Sequence, residues 1–152
     1  MSIVDSEFED LKKFVGLFYD LYMVKPHHRA ESHPLAVIER LEGKSRSQTM
    51  RGLEMALNDC VEMTSEWSPD AVATADRRFL AAGRWSLTQV RARYSKDFLR
   101  VLKRGNIKSM KEYYLVKGIV DGGGILPGAS ETERLASMLD DYESRVFPKS
   151  AT

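Results

Sequence analysis

Apolar residues recur at three- and four-residue spacing through most of the chain, the signature of helices that bury one face. The first such run, Phe8, Leu11, Phe14, Val15, Phe18, Leu21 and Tyr22, predicts a helix. Ser6 with Glu9 supplies a capping box at its start, and Lys25-Pro26 marks its end. His27 to Ser32 reads as a polar connection, after which Ser32 caps a short helix with Pro34 in its first turn. Leu35, Ile38 and Leu41 form its stripe, and Gly43 suits its end.

Ser47 opens a third helix reaching about Trp67, striped by Met50, Leu53, Leu57, Cys60, Val61 and Thr64. Ser68-Pro69 starts a fourth, through Val72, Ala75 and Phe79 to Gly83. Ser86 with Gln89 caps a fifth, predicted as one helix from Leu87 to Arg104 and stopped by Gly105-Asn106. Ser109 with Glu112 caps a sixth, Met110 to Val120, which is apolar on nearly every side and so is expected to be buried by its neighbours. A strand over Tyr113–Val120 is the weaker alternative there. Three successive glycines, Gly122 to Gly124, require a loop. Ser130 with Glu133 then caps a last helix, with Leu135, Met138, Leu139, Tyr142 and Val146 facing inward and Phe147-Pro148 ending it. The expectation is an all-α, compact single-domain bundle of about seven helices spanning residues 1–152, ordered over roughly 5–147.

Candidate chemistry is sparse. His27, His28 and His33 lie close together but lack the helical spacing of a zinc site, so no metal is expected. Cys60, the single cysteine, falls on an inward stripe and reads as a small core residue. The glycine run follows a helix and carries no Lys-Ser/Thr pair, unlike a phosphate loop. No Glu-x-x-His motif of a di-iron bundle and no Ser-His-Asp set occurs, so no catalytic residue and no cofactor is assigned.

Charge changes the picture more. Between Arg77 and Lys117 twelve Lys/Arg stand against two acids, Asp97 and Glu112, although the whole chain sums to only +1. On the predicted Leu87–Arg104 helix, Arg93, Lys96, Arg100, Lys103 and Arg104 share the side opposite the apolar arc, with Asp97 at its edge. These five cations, together with Trp85 beside the preceding turn, are the candidate partner-binding residues. They point to a small intracellular protein-interaction module: an adaptor, an immunity- or antitoxin-like protein, or a regulatory partner. Nucleic-acid binding through the basic 77–117 region is the alternative, with Val72–Gly83 and the helix from Leu87 as a weak helix-turn-helix. Its base-reading groups would be Thr88, Gln89 and Arg91. Acid-to-base pairing with a second copy is compatible with either. No apolar run is long enough for a membrane span, and the acidic N-terminus does not resemble a signal peptide, so a cytoplasmic location is expected.

Overall fold

The computed structural model describes residues 3–23, 30–121 and 129–147, with side chains from residue 132 onward in the last segment. Eight α-helices carry them: α1 (Phe8–Tyr22), α2 (Pro34–Glu42), α3 (Arg46–Met63), α4 (Pro69–Ala81), α5 (Leu87–Tyr94), α6 (Lys96–Arg104), α7 (Met110–Asp121) and α8 (Ala129–Val146). No strand occurs among the described residues, and Tyr113–Val120 is helical. None of these helices is long and apolar enough to cross a membrane.

The eighth helix arises because the predicted Leu87–Arg104 helix is two. Ser95 adopts an extended conformation (φ −69°, ψ 116°), ends α5, and caps α6 by accepting from Phe98 N at 3.1 Å. The two halves face different cores. Leu87, Val90 and Tyr94 join a cluster built from α1 to α5, around Phe14, Phe18, Leu53, Leu57 and Phe79. Phe98 and Val101 join a second cluster with Ile107, Tyr113, Val116, Ile119, Leu135 and Tyr142. A continuous helix would hold both sets in one arc and could not reach both clusters.

Most helix starts follow the cap chemistry, with shifts of one or two residues. Ser45 rather than Ser47 caps α3, accepting from Gln48 N, while Ser68 caps α4 with Pro69 at its first position. The Ser86/Gln89 capping box is complete. His33, not Ser32, caps α2: its Nδ1 accepts from Leu35 N at 3.0 Å, which makes Nε2 the protonated nitrogen that donates to Asp20 Oδ1 at 2.8 Å. The Ser6/Glu9 box does not form; residues Asp5–Glu7 make a 3-10 turn that enters α1 without a side-chain cap. At α7 half of the expected box forms. Ser109 Oγ accepts from Glu112 N, whereas the Glu112 carboxylate takes Lys108 N and Arg104. Val146, expected inward, is exposed. Lys25-Pro26, His27, His28 and the glycine run lie outside the described residues, as does the Ser130 side chain.

Candidate binding groove

The five cations expected to share one open face do not form a set of uncompensated charges. The Arg93 guanidinium lies 3.1 Å from Glu7 Oε1, and Tyr94 Oη donates to Glu7 Oε2 at 2.7 Å. Burial and that carboxylate push the Tyr94 hydroxyl well above its ordinary ionisation range. Arg100 pairs with Asp97 at 2.5 Å. Arg104 pairs with Glu112 and also donates to the side chain and carbonyl of Asn106. Lys96 and Lys103 have no ion pair among the described residues. The break at Ser95 accounts for part of this, because Arg93 stays with α5 beside the N-terminal turn while Arg104 swings toward α7. Trp85 is half-buried against the first cluster.

The helix-turn-helix expectation meets a direct geometric obstacle. Thr88 is fully buried, and its N and Oγ1 donate to Asp76 at 2.9 and 2.5 Å. Gln89 spends its carbonyl on Ser86 N, and Arg91 is buried. Thr88 and the Gln89 carbonyl are therefore committed within the protein, and Arg91 has only 4% of its surface exposed, unlike base-reading groups set at the open start of a helix.

A different feature opens where the two apolar clusters meet. Two cavities of about 530 and 470 Å³ share Ser65, Arg91, Lys111 and Leu115, and together form one groove bordered by α3, α4, α5, α6 and α7. The first is the more polar of the two, with Lys96, Asp97, Arg100, Glu112 and the serines Ser95 and Ser109 in its wall, and Glu62 at an exposed position. The second is walled by Trp67, Pro69, Val72, Tyr114 and Gly118. Seams between packed units are favoured places for ligand sites.

The groove owes its apolar end to α7. Tyr113, Val116 and Ile119 are buried in the second cluster, but Tyr114 on the other side is 55% exposed. The expectation that neighbours would bury α7 all round is thus corrected: one apolar face is covered and one is left open along the groove. Glu112, at the polar end, is raised by partial burial, but the bonds from Lys108 N and the Arg104 guanidinium outweigh this and hold its carboxyl below the ordinary value.

Arg91 stands at the centre of the groove, lining both cavities with only 4% of its surface exposed. Its Nη2 donates one long hydrogen bond, 3.3 Å to Thr64 O, and its Nε is buried with no partner. Burial lowers the basicity of the guanidinium and the charge of Asp76 partly restores it, but no carboxylate lies within salt-bridge distance. A buried charge so poorly bonded is costly and calls for a cause. The sequence held a signal for it: Leu87, Val90, Arg91 and Tyr94 follow the inward spacing of positions one, four, five and eight, so Arg91 sits inside the apolar stripe.

Cys60 is buried and its thiol is pushed up to about 12, chiefly by burial. Among the described residues no three His, Cys, Asp or Glu side chains are grouped as metal ligands would be. No protein-family model matches the chain, and neither does any curated protein or solved structure.

Proposed function

We propose that the protein binds a partner protein, receiving in the groove an anionic segment that also carries apolar side chains. The observation that supports this is the juxtaposition of two chemistries in one open channel. Lys96 lies at one end and Trp67 and Tyr114 at the other, with Lys111 and Leu115 between them; neither lysine has a carboxylate partner among the described residues. Charge complementarity sets orientation and encounter rate, while aromatic and aliphatic burial supplies affinity. The interacting surface thereby moves from the outer side of α6 to the seam beside it. Arg93, Arg100 and Arg104, already matched by carboxylates, contribute less charge than their number suggests.

Selection of random twelve-residue peptides on the immobilised protein tests this reading, with Tyr114→Asp and Leu115→Asp proteins as counter-screens. Enriched peptides should combine Asp or Glu with an aromatic or aliphatic residue, and lose binding to both variants. Recovery of no sequence family, or of peptides indifferent to both substitutions, would refute it.

A further inference from the structure

The polar end of the groove brings together three cations outside any ion pair among the described residues. Arg91, Lys96 and Lys111 have no carboxylate within salt-bridge distance among the described residues; Arg100 and Glu112 are paired to Asp97 and Arg104. Against these three cations stands one unpaired acid in the wall, Glu62, which is solvent-exposed. Glu66, also exposed and unpaired, lines the adjoining wall that Arg91 and Lys111 share, so the groove keeps an excess of one positive charge. Hydroxyls add to it. Ser95 Oγ and Ser109 Oγ each accept a helix-capping bond, from Phe98 N and Glu112 N, which leaves each O–H proton available to donate. Ser65 lines the same space.

We infer that this end of the groove is a subsite for a phosphate monoester dianion, with the Arg91 guanidinium at its base and Lys96 and Lys111 above. The fit rests on three properties. Three cations outside any ion pair line one space, which suits the several anionic oxygens of a phosphate better than the two of a carboxylate. Arginine presents a planar fork of donors suited to two oxygens of one phosphate, and here that fork is already desolvated and held by packing. A preorganised, dehydrated donor gains more from an anion than a flexible surface lysine does, because its ordering and desolvation costs were met on folding. The retention of an under-bonded buried guanidinium follows from such a role.

The inference rests on reading the groove as a binding site, and names what its polar end takes. The phosphate belongs either to a phosphorylated side chain of the partner segment or to a free phosphate ester, and the two sources separate experimentally. Thermal unfolding of the full chain is followed with O-phosphoserine, with inorganic phosphate, with sodium sulfate at equal ionic strength, and with acidic peptides carrying serine or phosphoserine. A phosphate ligand at a hundredfold excess over its Kd should raise the melting temperature by roughly 5–10 °C. Response to free O-phosphoserine assigns the site to small esters. Response only when phosphoserine lies within the peptide assigns it to a phosphorylated partner. Either response must disappear in Arg91→Met, which keeps an apolar stem of similar length. It must also fall at least tenfold in affinity in Lys96→Gln/Lys111→Gln, which alters the rim alone and carries the test if Arg91→Met does not fold. No phosphate-dependent shift in any arm, a sulfate shift equal to that of the esters, or a response unchanged in the rim variant overturns the subsite. Because the free-anion arms need no partner and the peptide selection needs no phosphate, either proposal can fail while the other stands.

Discussion

Replacing Asp76 by Ala should be among the most damaging single changes in the molecule, although it removes no apolar packing. Asp76 is 9% exposed and reaches from α4 to the first turn of α5, accepting from both the amide and the hydroxyl of Thr88. It is thus a cap supplied from another helix, placed at the positive end of the α5 dipole. Each hydrogen bond to an ionised acceptor contributes about 1.5–3 kcal/mol, and an amide left buried without a partner costs about 1–3 kcal/mol. These terms overlap, and together they put the expected loss at about 3–5 kcal/mol. For a chain of this size that lowers the melting temperature by roughly 6–20 °C. Urea unfolding followed by helical circular dichroism measures it, with an unchanged slope showing that the unfolded state is the same. Thr88→Val should cost less, and the double substitution should reveal a coupling of at least about 1 kcal/mol. A loss below about 1 kcal/mol in Asp76→Ala, or additive single substitutions, would refute the cap.

Four further outcomes follow from separate features. Gly105→Ala should cost about 1–2 kcal/mol in urea unfolding, because Gly105 ends α6 at φ +87°. Gly118→Ala, inside α7 with open space where its Cβ would stand, should instead gain about 0.5–1 kcal/mol. Cys60 should resist iodoacetamide at pH 8 in the folded protein and react on unfolding, read by mass spectrometry. A thiol at about 12 rather than 9.0 carries about a thousandfold less thiolate, and equal rates in both states would contradict its burial. The lowered Glu112 carboxyl contributes stability that is complete above its unfolded value and lost as pH falls through the folded one. Glu112→Gln should therefore flatten the acid limb of the stability profile, and an identical limb in both proteins would exclude the contribution.

The helices were legible because their caps and stripes are local. Ser68-Pro69, Ser86/Gln89 and the buried run Leu53, Leu57, Cys60 and Val61 all needed only a few neighbouring residues to specify them. The break at Ser95 was hidden because Tyr94, Phe98 and Val101 keep helical spacing across it. Ser95, flanked by no Gly or Pro, became a cap only because two clusters compete for the flanking residues. One ion pair was hidden for the same reason: Glu7 lies 86 residues before Arg93, and no local pattern announces that they meet. Asp76, immediately before the basic region, carries no local mark of its role in anchoring α5. The groove had two sequence traces, the arginine within the α5 stripe and the apolarity of α7 on both faces. What they enclose depends on how the second cluster docks, a matter of tertiary packing.

The hydrogen bond from Tyr94 to Glu7 joins residues 87 positions apart, and both of them belong to the earlier-made part of the chain. During synthesis the N-terminal turn therefore waits, at ~5–20 residues per second, until Tyr94 has cleared the ribosome. Only then does the leading edge lock, with α6 to α8 still emerging and the groove walls last to assemble. A stall that leaves Ser95 just outside the ribosome would hold the nascent protein with Arg91 in place and Lys111 not yet emerged.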